Sequence, residues 1–430
     1  MTSSVKFSEI AELVMGQSPK GADCNETGDG FPLLNGPTEF TERSPLPVQF
    51  TTAGKKFSKT GDILFCVRGS TTGRMNYADQ AYAIGRGIGA IRGINGYPTA
   101  YIRAVLEHNL DRLLVAATGS TFPNVGKDLL NNFEVNVCSP EQAQQANKLL
   151  VGIEDKRYLN SQTNQTLEEM AQAIFKSWFV DFDPVKAKIN GDKPEGMDEA
   201  TASLFPEKLV ESELGLIPEG WSVEEAKSQL DVLRGFSYKG KGLVGSLDKG
   251  VPMHNLNSVL EGGGYKYAGL KFYSEEFKEK FAIKEGDVLV ANTEQGHNHL
   301  LIGYGAMVPK HLAHGFFSHH TYRVRPKKNS NVTPEFIERL FGKGRFVRQV
   351  QGFTNGTTVN MLPVAGMEMP QFVVPSKALA QKFSELVKPM KAMIEENHKS
   401  NIELAKLRDT LLPKLLSGEI ELEPQEAKGE

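Results

Sequence analysis

Six histidines, His297, His299, His311, His314, His319 and His320, fall within 24 residues of one another. Side chains of this kind can hold a metal or pass a proton. Zinc would require cysteine or carboxylate partners at defined spacings, and only Glu294 lies near. Polar side chains lining a nucleic-acid-facing loop, or ordinary surface histidines, are the competing readings. Two loop-like stretches carry residues that match base edges: Arg68-Gly-Ser70-Thr71-Thr72-Gly-Arg74, and Asn292-Thr293-Glu294-Gln295-Gly-His297-Asn298-His299. Arginine suits guanine, Asn and Gln suit adenine, and Ser/Thr suit either. Arg86, Arg92, Arg323 and Arg325 are candidates for phosphate contacts, which position a protein on DNA without reading sequence. A solvated loop or strand edge is the alternative for each of these residues.

Catalytic signatures do not accompany them. An adenine methyltransferase needs Asn/Asp-Pro-Pro-Tyr/Phe, but Asp183-Pro184 is followed by Val185. Neither a Gly-x-x-x-x-Gly-Lys-Ser/Thr phosphate loop nor a Gly-x-Ser-x-Gly elbow occurs. The glycines of Gly85-Arg-Gly87-Ile-Gly89 lack the strand–turn–helix context of a dinucleotide site. The chemistry on offer is recognition, so a non-catalytic chain with no cofactor or metal of its own is expected.

The 430 residues are enough for two domains and connecting helices. No apolar run approaches the roughly 18 residues that span a bilayer, and the first residues lack a signal-peptide core. Cys24, Cys66 and Cys138 are far apart and read as reduced thiols, with disulfide or metal roles as the alternative. A cytoplasmic protein without a membrane partner is expected. Net charge is −3, yet the charges are segregated. Residues 43–112 carry ten Arg/Lys against four Asp/Glu, and residues 323–350 carry eight against two. Residues 192–225 hold ten acids against Lys193 and Lys208. Two basic blocks could face phosphate; plain surface charge is the bland alternative.

The chain repeats itself. Val14-Met-Gly16-Gln-Ser18-Pro-Lys20-Gly21 returns as Leu233-Arg-Gly235-Phe-Ser237-Tyr-Lys239-Gly240, an offset of 235 − 16 = 219. Phe31-Pro32-Leu-Leu-Asn35 returns as Val251-Pro252-Met-His-Asn255, and Lys59-Thr-Gly61-Asp62-Ile-Leu as Lys284-Glu-Gly286-Asp287-Val-Leu. Pro98 matches Pro334, and Gly119-Ser-Thr121 matches Gly356-Thr-Thr358. The offset only grows, as in a duplicated domain whose second copy gained loops. Each copy reads as α+β: short apolar strands bounded by glycine, and one helix opened at Pro98 or at Thr333-Pro334.

Each copy ends in a long helix. The first opens at the capping box of Ser139 and is expected to end near Asp183, before Pro184. The second runs from Ser376 to Ser417, with Gly418 as its left-handed cap. Read in sevens, the second presents the rows Phe383, Met390, Asn397, Leu404, Leu411 and Leu386, Met393, Ser400, Leu407. The first presents Ile153, Asn160, Leu167, Ile174 and Leu149, Lys156, Thr163, Met170. Asn160 falls opposite Asn397 in the repeat, and Thr163 opposite Ser400. Antiparallel packing would let Asn160 and Asn397 set the register of a coiled coil; two helices each packed on its own domain is the alternative. Forty residues make a rod of about 60 Å, a ruler between two heads.

Ile174-Phe-Lys-Ser-Trp178-Phe-Val-Asp181-Phe-Asp183-Pro184-Val, Leu204-Phe-Pro206 and Ser212-Glu-Leu-Gly215-Leu-Ile-Pro218-Glu-Gly220-Trp221 resemble the central conserved region of type I restriction-modification specificity subunits. Leu407-Arg-Asp-Thr-Leu-Leu-Pro413-Lys-Leu-Leu-Ser-Gly418-Glu-Ile resembles their distal conserved region, and Gly61-Asp62-Ile-Leu with Arg68-Gly-Ser-Thr-Thr-Gly73 their target-recognition domains. The resemblance implies an α+β chain with two similar target-recognition domains, residues 1–138 and 221–375. Two long helices, 139–183 and 376–417, would join them as an antiparallel coiled coil, with 184–220 a linker and 418–430 a flexible tail. It implies a DNA-specificity subunit, each domain reading half of a bipartite double-stranded site, docked to two modification (methyltransferase) subunits and to restriction (translocase/nuclease) subunits. S-adenosylmethionine, ATP and Mg2+ would reside on those partners. Leu167, Met170, Ile174, Phe175, Trp178 and Phe179 offer a candidate docking face, with burial against a recognition domain as the alternative. A subunit serving a methyltransferase-nuclease fusion, a coiled-coil interaction scaffold and a free-standing enzyme are the rival functions.

Overall fold

The computed structural model describes residues 3–117, 123–296, 298–356, 359–417 and 419–420. His297, the Gly119-Ser-Thr121 segment, Thr357, Thr358, Gly418 and nearly all of the expected tail lie outside the described residues. The chain forms two compact units, residues 1–162 with 397–430, and residues 163–396. Both boundaries fall inside the long helices.

In the first unit, Ser3–Lys6 pairs with Glu134–Val137. The central sheet has the order Ala11–Met15, Ile88–Gly93, Ile63–Cys66, Met75–Tyr77, with every pair antiparallel. Ile63-Leu-Phe-Cys66 is buried along its whole length, which is why it reads as a continuous apolar run and not as an alternating strand. A second sheet has the order Cys24–Asn25, Gln49–Thr51, Phe31–Leu34, Ala83–Ile84, its last pair parallel. Helix Thr99–His108 covers the central sheet through Tyr101, Ile102 and Val105.

The second unit repeats this strand for strand. Ser222–Glu225 pairs with Gln371–Val374. The central sheet runs Leu230–Arg234, Thr321–Pro326, Val288–Ala291, Gly305–Met307. The second sheet runs Leu243–Val244, Lys271–Tyr273, Val251–His254, Phe316–Phe317, again ending in a parallel pair. Thr333 caps helix Pro334–Leu340 by accepting from the Phe336 amide, with proline in the first turn, as the sequence predicts. The duplication is therefore one of topology as well as of motifs.

The long helices are Pro140–Phe179 and Lys377–Ser417. Ser139 and Ser376, 237 positions apart, cap them alike, each hydroxyl accepting an amide from three residues on (Gln142 and Leu379) at 3.4 Å. The two helices pair antiparallel within each unit: Asn160 meets Asn401 in the first, and Asn164 meets Ile394 and Phe175 meets Phe383 in the second. The seam differs from expectation in one respect. The row beginning at Phe383 is joined by Val387, Ile394, Asn401 and Leu415, four residues on, not by the row three residues on; Leu386, Met393 and Leu407 are 38, 51 and 45% exposed. The first helix makes the same choice, burying Leu150, Asn164 and Ala171 and exposing Lys156 and Met170.

A hydrogen bond in this seam runs from Asn160 Nδ2 to Asn401 Oδ1 at 2.9 Å, one turn along the helix from Asn397. Asn401 Nδ2 donates to the Arg157 carbonyl at 3.3 Å, and Asn164 Nδ2 to the Ile394 carbonyl at 3.5 Å. These bonds are one motif used twice, since 401 − 164 = 394 − 157 = 237.

Three further expectations are corrected. The first long helix stops at Phe179, and Pro184 does not end it but opens a new helix, Asp183–Ile189, where a missing N–H costs nothing. Residues 184–220 are no bare linker: they hold that helix, helix Glu199–Ser203 and the hairpin Leu209–Ser212/Gly215–Pro218, and they bury Val185, Phe205 and Ile217. Phe175, Trp178 and Phe179 are only 5–6% exposed and cannot form an open docking face. They pack edge-on against Phe336, Phe383 and Phe205 at 5.0–5.7 Å, and with tilted rings against Trp221 at 5.9 Å, in the second unit's core. Leu167 and Ile174 are half-buried, which leaves Met170 exposed.

Candidate nucleic-acid interface

The Gly-Asp motif is a structural staple in both repeats. Gly61 and Gly286 adopt positive φ (87° and 83°), a region glycine enters without steric cost. The following aspartate is buried and accepts an amide across the turn, Lys59 N–H to Asp62 and Lys284 N–H to Asp287, both at 2.8 Å. Each carboxylate is then clamped by an arginine fork from the neighbouring strand: Arg92 on Asp62 (2.9 and 2.7 Å), Arg325 on Asp287. Arg323, 5% exposed, pairs with Asp231. Arg92, Arg323 and Arg325 are therefore committed to ion pairs inside their own sheets. This corrects their expected role at phosphate: leaving the buried Asp62 or Asp287 carboxylate unpaired would be costly, and Arg323 is itself buried.

The loop after this strand converges with a second loop at one edge of each repeat, on a backbone frame that recurs bond for bond. Val67 N–H donates to Gly87 O (2.9 Å), and Asn292 N–H donates to His320 O (3.1 Å). Gly85 N–H to Leu34 O corresponds to Ser318 N–H to His254 O, both 2.8 Å. Gln17 N–H to Ile84 O (2.8 Å) corresponds to Phe236 N–H to Phe317 O (2.9 Å). The recurring Gly16 and Gly235 share one cause. A Cβ on either would lie 2.1 Å from a carbonyl oxygen of the opposing turn, Gly85 or Ser318. Arg86 and His319 thus occupy the same place in the two frames.

The side chains on this frame divide into outward and inward. In the first repeat Arg68, Ser70, Arg74 and Arg86 are exposed. Thr71 is half-buried beside Cys66 Sγ (3.6 Å), and Thr72 Oγ1 reaches the carbonyls of Gly69 and Pro123 (2.7 and 2.9 Å), holding the loop closed. In the second repeat Gln295 and Asn298 are exposed. Asn292 and Thr293 are buried: Asn292 Nδ2 donates to His319 O, and Thr293 Oγ1 lies 3.1 Å from His320 Nδ1. Glu294, also buried, accepts the amides of Leu300, Leu301 and Ile302 at 2.8–3.0 Å and fixes the loop beyond it. His299 sits at φ +50° with its carbonyl taken by Gln351, so it closes the loop.

The histidines do not assemble. Among the described residues, no three His, Cys, Asp or Glu side chains are placed to hold a metal. His311 pairs with Glu395 and stacks on Tyr267. Partial desolvation, with the neighbouring His319 and Arg234, lowers the His320 pKa from its ordinary value. The three cysteines are free. Sequence reasoning missed Ser18, Asn35, Gln49 and Arg234 as members of the edge, and named His319 only within the histidine cluster. The signal lay in its own repeat alignment, where Gly16-x-Ser18 and Asn35 mark the segments that meet there.

Residues 3–169 match the model of the type I restriction modification DNA specificity domain. The chain is 27% identical over 322 residues to the type I restriction enzyme MjaIX specificity subunit of Methanocaldococcus jannaschii, covering 71% of this chain and 65% of that one. It is 24% identical over 435 residues to the HindI specificity subunit of Haemophilus influenzae, covering 89% and 90%. In fold it is similar to the S subunit of a type I restriction-modification system from M. genitalium, with TM-score 0.53, 13% identity and 96% of each chain covered.

Proposed function

We infer that this chain is the specificity subunit of a type I restriction-modification system, a DNA-recognition component and not a catalytic one, as the domain match and the named relatives indicate. Each repeat acts as a target-recognition domain for one half of a bipartite double-stranded site. The observation that carries this reading is the edge described above: one backbone frame, present twice, dressed with different outward polar residues. A common docking pose with different side chains is what two unlike half-sites require.

The paired helices set the spacing between the half-sites and dock two modification subunits. Their exposed apolar residues, Leu159 and Met170 on the first and Leu386, Met393 and Leu407 on the second, supply a surface for partner helices. Methyl transfer with S-adenosylmethionine, and restriction with ATP and Mg2+, belong to those partners and to restriction subunits. Among the described residues no helix is long and apolar enough to cross a membrane. The test is an exchange of residues 221–375 for the corresponding domain of a relative, read by methylome sequencing of cells that also carry the modification subunit. One half of the methylated motif should change and the other persist; alteration of both halves would refute the two-domain assignment.

A further inference from the structure

The turn shared by the two frames, Gly85-Arg86-Gly87 and Ser318-His319-His320, keeps its backbone and changes its chemistry. In the first repeat it heads a chain of polar groups, with Arg86 and Asn35 exposed and Ser18 and Gln49 half-buried. Arg86 N–H donates to Ser18 Oγ (3.1 Å), Ser18 Oγ–H to Asn35 Oδ1 (3.2 Å), and Asn35 Nδ2–H to Gln49 Oε1 (3.4 Å). The Arg86 guanidinium is exposed, and among the described residues no carboxylate pairs with it. A Cβ on Gly85 would come within 2.1 Å of Asn35 Oδ1, so glycine is what lets the amide close on the turn.

In the second repeat the counterpart of Asn35, Asn255, is 7% exposed and turned toward the carbonyls of Met253 and Gly269. The counterpart of Gln49 across the strand pair is Lys271. His319 replaces Arg86, with the His320 ring 3.9 Å away and Arg234 Nε donating to the His319 carbonyl at 3.5 Å. Three buried polar atoms at this turn, Asn292 Oδ1, Ser318 Oγ and His319 Nδ1, have no hydrogen-bond partner. Folded chains seldom leave such capacity unused away from sites that need it.

We propose that this turn is the base-reading element of each recognition domain: Arg86 with Ser18, Asn35 and Gln49 in the first, His319 with Arg234 in the second. It rests on the DNA-specificity reading above. A guanidinium fork matches the N7 and O6 acceptors of guanine, and an Asn or Gln amide matches N7 and N6 of adenine. The first half-site is accordingly assigned a G·C pair beside an A·T pair. An arginine serving only phosphate needs no particular neighbours, since a compact charge suffices there. Arg86 instead stands in a row of neutral amide and hydroxyl groups, while Arg68 and Arg74 on the adjoining loop are left for the backbone.

The test uses the full chain assembled with its modification subunits, and duplexes carrying the methylated motif or single-pair variants of it. Arg86→Lys keeps the charge and removes the fork. It should lower discrimination at one pair of one half-site by roughly 5- to 150-fold while leaving non-specific binding and its salt slope unchanged. His319→Ala should act on the other half-site alone. Equal weakening on all duplexes would make Arg86 a phosphate contact, and unaltered discrimination in both variants would remove the turn from recognition; either result overturns the proposal. A wild-type complex with no sequence preference would instead sink the DNA-specificity reading itself.

Discussion

His254 lies fully buried at the end of a strand in the second repeat, its Nε2 3.1 Å from the carbonyls of both Leu312 and His314 and its Nδ1 2.9 Å from the Tyr265 hydroxyl. Two carbonyls at Nε2 require a proton there, so Nδ1 accepts from Tyr265 and the ring is neutral. Burial pushes its pKa down from 6.5 to about 4. The sign of the consequence follows from linkage. The unfolded chain takes up the proton near pH 6.5, the folded chain only near pH 4, so acid favours unfolding across that window and the loss is complete below it. A shift of this size corresponds to about 3 kcal/mol. Equilibrium denaturation between pH 7 and 4 should show a shallower pH slope for His254→Gln than for wild type; identical slopes would show that His254 plays no part. The same scale sets the limit of what the sequence disclosed. Gly-Asp was legible as the start of a strand, but its arginine partners come from 30 and 38 positions away. Nothing local distinguishes Arg92 and Arg325, which are locked in sheets, from Arg68 and Arg86, which are exposed.

At the scale of elements, both long helices, their serine caps and a polar layer were readable from spacing, but the side of the seam was not. Rows three and four residues beyond Phe383 satisfy the same 3-4 alternation and hold three apolar residues each, and the row of Leu386, Met393 and Leu407 is the exposed one. The buried row contains Asn401 and Arg408, which a count of hydrophobic residues penalises. Asn401 is tolerated because its amide is satisfied by Asn160 and by the Arg157 carbonyl. The assignment separates two kinds of variant. Ile394→Ala empties a buried site and should destabilise the chain by about 2–4 kcal/mol, whereas Met393→Ala should stay within about 0.5 kcal/mol. Denaturant titration checks the first pair of values. If the exposed row receives partner helices, Met393→Ala combined with Leu386→Ala should instead reduce co-purification of the modification subunit. A Met393 variant less stable than the Ile394 variant would return the seam to the other row.

At the scale of the whole chain, the duplication was visible as an ordered series of motifs whose offset grows, because each motif marks a backbone feature that cannot drift: a glycine under a carbonyl, an aspartate in a turn, a proline at a helix start. What joins the repeats was less visible, since residues 184–220 carry a strongly acidic, loop-like composition and yet bury Val185, Phe205 and Ile217. The proposed function adds a consequence for length. If the helix pair sets the separation of the half-sites, one added heptad in each helix lengthens it by about 10 Å, close to three base pairs at 3.4 Å each. Both helices must grow together, because an insertion in one alone would shift Asn160 out of register with Asn401. It must also be seven residues long, since four would turn the seam to another face. Methylome sequencing of cells expressing the doubly extended chain should return the same two half-sites with a spacer longer by about that amount, and singly extended chains should lose methylation. Unchanged spacing in the doubly extended chain would mean that the distance is fixed elsewhere, and the helices would keep only their role in docking.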